Sequence, residues 1–569
     1  MERNGRAPRR PRSNVYNGLW GAGQTCIMVG AMPAIEVPLD RPPLSPSASR
    51  TRWTTLLLAL PALIPLVGGL IIPYRNNRVP TGFVEYDMPS YLAEGRAYFE
   101  HGFHLTYGNP YAGYNAPAIY FQPHTMLLGL LQQLGMDPGV TFNCFGLFAL
   151  FLAATVASRF YAEVVGTETT AKRIAFICFF WGGGAFTLAG LAHSLLRGNP
   201  LSSLWSFALW RYDPTWGWWM LNFGRNLVYP TEAYYHAIFL LSLLALIRRR
   251  LVLSLAFAAL LSCSHPFTGI TLILILVAYS GIELAIRSGT VSLRFLLGAI
   301  LIAALHVTYY LIWLNRFDDH RILRSQWQKA WLYSPRTFVL ALILVGSLAI
   351  WRLASSSFHC FRDARIRLFA VWFLVVFALT QHNLFMRPIQ PIHFAHGYDW
   401  MALFFIGAVP LVAILDVLLK LSRPWLRRGA LTVLLSLFLL DNSLWLAKIA
   451  VHNEYLVSLT RSQSEVLKWL SRNLKSGDMV ISQDGLISYL VSTYTPARSW
   501  QGHDHNTPSM EQRHDEVERL FANGRALPQW ERQGVFYVSP AGWLPPADLS
   551  LERRFGNNGF LIWASPMRH

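Results

Sequence analysis

The sequence predicts a polytopic α-helical membrane protein of about eleven transmembrane helices, followed by an α/β domain outside the membrane. Three observations predict it. The 569-residue chain is 53% hydrophobic and only 14% charged, and its apolar residues gather in long uncharged runs. Basic residues collect at alternate ends of those runs. After residue 449 the composition turns soluble, with 12 basic and 12 acidic residues over 450–569.

Residues 1–52 are rich in Arg, Pro and Ser, which predicts a disordered, basic cytoplasmic tail. The apolar patch Thr25–Met32 within it is too short to span. Spanning takes about 20 apolar residues. The runs that qualify are 53–73, 140–160, 174–194, 231–248, 251–264, 267–286, 293–314, 336–353, 368–385, 398–419 and 429–448. With the N-terminus inside, the inner connections are Arg159–Arg173, Arg248–Arg250, Arg287–Arg294, Arg352–Arg367 and Lys420–Arg428. Each carries two or more basic residues, as an inner-membrane protein requires. Counting 125–135 as a further span would put Arg248–Arg250 outside, so that run is expected to lie in the interface. This distribution explains the net charge of +18 without nucleic acid. Cys26, Cys144, Cys178, Cys263 and Cys360 are scattered and show no metal or disulfide spacing.

The transmembrane region is thus 53–449, with a large first outside loop at 74–139; the other outer segments are 195–230, 315–335, 386–397 and the domain 450–569. In the first loop, EYDMPSYLAEGRAYFEHG (85–102) reads as a short amphipathic helix stopped by Gly102 and lying in the headgroup plane. Glu85 and Asp87 precede it. Asp87 reads either as its N-cap, with Pro89 in the first turn, or as an acid at the membrane lip; the roles can coexist. The aromatic WRYDPTWGWW (210–219) fits an interfacial belt. In the outer domain, helices are expected in SQSEVLKWLSRNL, GLISYLVSTY and SMEQRHDEVERLFANG, and strands in DMVIS, GVFYVS and GFLIWA.

No nucleotide fingerprint, paired His/Cys metal motif or Ser-His-Asp signature occurs. Chemistry is expected at the outer face, where further polar clusters lie. Asp318, Asp319, His320, Arg321 and Arg324 read as a solvated charged loop or as a cluster that carries chemistry. Arg387, Gln390, His393, His396 and Asp399 read as an interfacial loop or as a headgroup site. His265, at a broken helix end in SHPFTG, reads as an interhelical hydrogen bonder or as a substrate contact.

In this order, Glu85-Tyr86-Asp87 with its following helix, YNAPAIYFQPH (114–124), SHPFTG, QPIHF and the tail motifs SEVLKWLSRNLKSGDMVIS and GHDHNTP resemble the GT-C superfamily of integral membrane glycosyltransferases. The resemblance implies a sugar donor linked to polyprenyl phosphate, used on the extracytoplasmic face with inversion. A glycan, lipid or protein would be the acceptor. A first-loop acid would be the general base, Asp87 first and Glu85 second. Arg387, Arg321, Arg324 or a divalent metal, magnesium or manganese with Asp318 and Asp319 as candidate ligands, would meet the charge of the leaving phosphate. Gln390, His393 and His265 would bind substrate. Where an Arg is expected before the Phe of QPIHF the chain has His393, which is cationic only near or below its pKa of about 6.5. Two rival readings stand beside this one: a transporter or flippase of lipid-linked sugars, and a non-catalytic envelope-assembly protein.

Overall fold

The structure, a computed structural model, describes residues 48–114, 116–198, 211–213, 221–452, 456–530 and 534–565. The basic tail before residue 48, and most of the aromatic stretch 210–219, lie outside the described residues. In chain order the helices are α1 (Ala48–Ala59), α2 (Ile64–Arg75), α3 (Met88–Ala97), α4 (Pro123–Gln132), α5 (Pro138–Val164), α6 (Thr170–Trp181) and α7 (Phe186–Leu196). There follow α8 (Phe223–Asn226), α9 (Pro230–Ile247), α10 (Leu251–Ser264), α11 (Pro266–Ala285), α12 (Leu293–Val307), α13 (Asp318–Gln326), α14 (Pro335–Ser355), α15 (Ala364–Thr380), α16 (Tyr398–Leu419) and α17 (Pro424–Val451). The outer domain adds α18 (Arg461–Asn473), α19 (Gly485–Tyr494) and α20 (Met510–Asn523).

Each of the eleven expected spans is helical. Among the described residues, eight helices are long and apolar enough to cross a membrane, and the pair α6–α7 makes a ninth if taken as one span. The remaining two are shorter: α10 has 14 residues and α15 has 17. The expected continuous helix 174–194 is broken, with α6 and α7 meeting at 75° across Gly182–Ala185. Glycines release the backbone there, and the exposed N–H groups of α7 need an acceptor. Asp441 of α17 supplies it, accepting from Phe186 N (2.9 Å) and Thr187 N (2.8 Å). A buried carboxylate at a helix N-terminus is favourable on both counts.

α4 is a ten-residue helix, too short to span, as expected for the 125–135 run. α3 differs from expectation. Seven of its ten residues are buried, so it is a core element rather than a helix with one face in lipid. The reason is close packing. A Cβ on Gly95 would meet the backbone of Gly129 in α4, and one on Gly129 would meet that of Gly95. α19 covers another side, where Thr493 Oγ1 donates to Pro89 O (2.9 Å).

The outer domain holds a five-stranded sheet. In chain order its strands are β3 (Met479–Ser482), β4 (Arg498–Ser499), β5 (Val535–Pro540), β6 (Glu552–Gly556) and β7 (Phe560–Ala564), arranged β4-β3-β5-β7-β6. β3 runs parallel to β4 and β5, and β7 is antiparallel to β5 and β6. Two further strands tie this domain to the first loop: β1 (Val79–Pro80) pairs antiparallel with β2 (Ser458–Leu459). Arg498 grips Glu100 through Nε (2.9 Å) and Nη2 (2.5 Å) and donates to Gly113 O (2.6 Å). Arg513 donates to the carbonyls of Tyr111, Ala112 and Trp500, each at 2.9 Å. First loop and outer domain therefore form one seam.

Candidate functional site

Asp87 lies on that seam. It occupies the N-cap position of α3, yet its side chain makes no capping hydrogen bond. Oδ1 accepts instead from Nε2 of His503, at 2.8 Å, from the outer domain. His503 Nδ1 accepts the backbone N–H of His505 (3.1 Å). Nε2 is thereby the ring nitrogen that donates to the carboxylate. The His503 side chain is 3% exposed and that of Asp87 44%. Desolvation alone would raise the Asp87 pKa, but the hydrogen bond from His503 and the attraction of the neighbouring histidines leave it below the usual range.

Glu85 is the opposite case. It is buried, and desolvation together with the charge of Asp87 pushes it up to about 8. Its Oε2 accepts the backbone N–H of Asp87 (2.8 Å). At neutral pH Glu85 therefore keeps its proton while Asp87 is an anion. Of the two candidate bases, only Asp87 is in the form that accepts a proton.

Rings surround Asp87 and lead inward. Tyr86 and Tyr489 lie 4.7 Å apart by centroid, and Tyr86 lies 5.3 Å from His503. His503 leads to His505 (5.9 Å), His505 to Trp331 (5.2 Å), Trp331 to His393 (5.8 Å) and His393 to His396 (5.7 Å). Backbone bonds fix this path: Gln390 N donates to Lys329 O (3.0 Å) and Ile392 N to Trp331 O (3.1 Å). Trp327 Nε1 donates to His505 O (2.7 Å), tying the 315–335 segment to the outer domain. Four segments thus converge on Asp87: the first loop, 315–335, 386–397 and the C-terminal domain.

A second centre lies at the inner end of the path. His396 Nδ1 is 2.6 Å from Glu232 Oε2, in the first turn of α9. His265, which caps α11, stacks on Tyr235 (4.6 Å) and lies 5.6 Å from His396. Glu232, His265 and His396 each offer one ligand atom, all within 4.8 Å of one another. Among the described residues this is the one such group. Tyr91 feels the charge of both Asp87 and Glu232, so the centres share one region.

The structure gathers Asp87, Glu85, Gln390, His393 and His265 along this path. Burial and the neighbouring His396 push His393 down to about 3, so at neutral pH it stacks as a neutral ring on Phe267 (5.2 Å). Arg387 is exposed. Asp318 and Arg321 form an exposed pair. Arg513 and Asp318 act on Asp319, and Arg324 acts on His320. The cation on the path is Lys329, over the Trp331 ring (5.8 Å) and acting on His505. Sequence reading missed Lys329, His503 and Glu232. Glu232 had a signal: it is an acid at the head of an apolar span.

No family model matches the chain, and no curated protein matches it. Among solved structures it is similar to the oligosaccharyltransferase AglB from Archaeoglobus fulgidus in complex with an inhibitory peptide and a dolichol-phosphate. The identity is 11%, over 87% of this chain and 70% of that one, with a TM-score of 0.42. It is similar also to ArnT from Cupriavidus metallidurans bound to undecaprenyl phosphate, at 14% identity over 90% of this chain and 98% of that one, with a TM-score of 0.45. These likenesses are distant. What the chain does has to come from its own residues.

Proposed function

We propose that the protein transfers a sugar from a polyprenyl-phosphate-linked donor to an acceptor hydroxyl on the extracytoplasmic face of the inner membrane, with Asp87 as general base. The observation that carries this reading is the Asp87 carboxylate, released from helix capping, half-exposed and held by His503. A hydroxyl attacking at neutral pH must lose its proton as the bond forms, and an ionised carboxylate within about 3 Å can take it. The new bond joins the acceptor oxygen to the anomeric carbon. The bond from that carbon to the donor phosphate breaks, and the lipid phosphate leaves with the electron pair. Lys329, over the Trp331 ring, would meet that charge, with the exposed Arg387 and Arg321 and the half-buried Arg324 as further cations. His503 acts as a positioning residue. The acceptor is a glycan, lipid or protein hydroxyl. A divalent metal, where one takes part, would be held by Glu232, His265 and His396 rather than by Asp318 and Asp319, and would add Lewis acidity to the pocket.

Asp87→Asn tests the reading. It keeps the side chain's shape and removes the base. Transfer from polyprenyl-phosphate sugars in proteoliposomes should fall about 10²–10⁴-fold with unfolding temperature unchanged. Full transfer by the variant would remove Asp87 as base, and retained movement of lipid-linked sugar without transfer would favour a transporter.

A further inference from the structure

We propose that Glu232, His265 and His396 form a zinc site that pins three separate segments of the membrane domain. The segments are the first turn of α9, the break between α10 and α11, and the turn that leads into α16. The proposal deepens the metal role named above but does not rest on sugar transfer.

The donor set is the first argument. One carboxylate and two imidazoles make a mixed N/O set of borderline softness, which suits zinc, whereas magnesium and manganese prefer oxygen ligands and water. Three protein ligands also leave a tetrahedral ion one open position.

The outer shell is the second. His265 Nδ1 is engaged by Thr268, 2.9 Å from Oγ1 and 3.3 Å from the backbone N–H it accepts, so a metal on Nε2 would require the ring proton to move to Nδ1, where Thr268 Oγ1 is the acceptor. Buried His236 lies between the backbones of the other two ligands, Nδ1 2.8 Å from Glu232 O and Nε2 2.9 Å from His396 O, and its one N–H donates to one of these carbonyls. Asn226 Nδ2 donates to the same His396 carbonyl (3.1 Å). Partners of this kind fix ring orientation around bound metals.

Backbone strain is the third. His396 takes a left-handed conformation, φ 40°, next to Gly397 at φ 69°. A non-glycine residue in that region is held there by its surroundings, here in the residue that turns its ring onto Glu232. Finally, Glu232 is 5% and His396 0% exposed. A buried carboxylate next to apolar helices needs a cation or a full set of hydrogen bonds.

The full-length protein in detergent, stripped with chelator and dialysed, is incubated with zinc, magnesium or manganese and its metal content and thermal unfolding are measured. About one zinc per chain is expected, with a rise in unfolding temperature that magnesium and manganese do not reproduce. His265→Gln, at the least buried ligand, should lower zinc affinity about 10–100-fold while the chain still folds. Cobalt loaded into the unaltered protein should show the visible bands of a tetrahedral ion and lose them when zinc is added. Substoichiometric zinc with no thermal shift would overturn the site and mark the cluster as a hydrogen-bonded His–Glu network. Full zinc binding by both His265→Gln and Glu232→Gln would overturn it equally, since the ion would then sit elsewhere. Neither result bears on Asp87, whose test reads transfer.

Discussion

Asp87 and Glu232 are both carboxylates beside histidines, yet their surroundings differ in kind. Asp87 is half-exposed and its histidine comes from 416 residues further along the chain. Glu232 is buried, and its histidine partners stand at the ends of membrane helices. Water, the His503 hydrogen bond and the attraction of the neighbouring histidines keep the first charged. The second needs a positive partner or a complete set of donors. An acid that must exchange protons with a substrate needs the first environment. An acid that holds helices together can use the second.

The seam offers the hardest way to break this contrast. Arg498 and Glu100 are almost fully buried, so removing one partner strands the other. Arg498→Ala is expected to cost about 3–5 kcal/mol of stability, read by thermal unfolding in detergent. Transfer should fall with it, because the outer domain then holds His503 less firmly against Asp87. Zinc content should stay at the unaltered level, since no ligand of the Glu232 group lies on the seam. Equal loss of metal and transfer would show that the two centres are one mechanical unit.

Removing His503 has a smaller and more specific effect. His503→Ala should reduce kcat about tenfold, less than the roughly 10²–10⁴-fold expected for loss of the base itself. The pH profile carries the diagnostic. Asp87 works only when ionised, so transfer fails as pH falls through its pKa. In the unaltered protein that limb lies below the ordinary carboxylate value, because the His503 hydrogen bond lowers it against the cost of burial. In the variant the limb should move up. A loss confined to KM with an unmoved limb would make His503 a substrate contact instead.

The fold was legible wherever one residue pattern decided one element. The apolar runs located the spans, and short apolar stretches between polar ones located α18, α19, α20 and the central strands β3, β5 and β7. β6 was missed because LERRFG carries the charge of an exposed edge, and its pairing with β7 comes from the tertiary structure. The break at Gly182–Ala185 was missed because its acceptor, Asp441, lies some 250 residues away. The site shows the same division. Glu85 and Asp87 sit beside the first span and were visible. Their different protonation was not, because it comes from the burial of Glu85 and from His503 and His505 beside Asp87, which only folding brings about. His503 stood in a motif already noted, GHDHNTP, but nothing local pairs it with residue 87.

Glu85 gives the finest test of the contrast between exposed and buried acids. Its pKa is raised from an ordinary 4.5 to about 8 by desolvation, with the charge of Asp87 adding to it. The sign follows from linkage: the folded state holds this proton more tightly than the unfolded state, so the contribution to stability is complete below pH 4.5 and is lost as pH rises through 8. Gln mimics the protonated form and has nothing to lose. Glu85→Gln should therefore match the unaltered protein near pH 5 and unfold about 2 °C higher near pH 8. Glu94, also pushed up to about 8 by burial, is present in both proteins and cancels. Transfer at neutral pH should be nearly unchanged. A collapse of transfer in Glu85→Gln would instead make Glu85 the acid that exchanges the proton, with Asp87 left as the charge that tunes it.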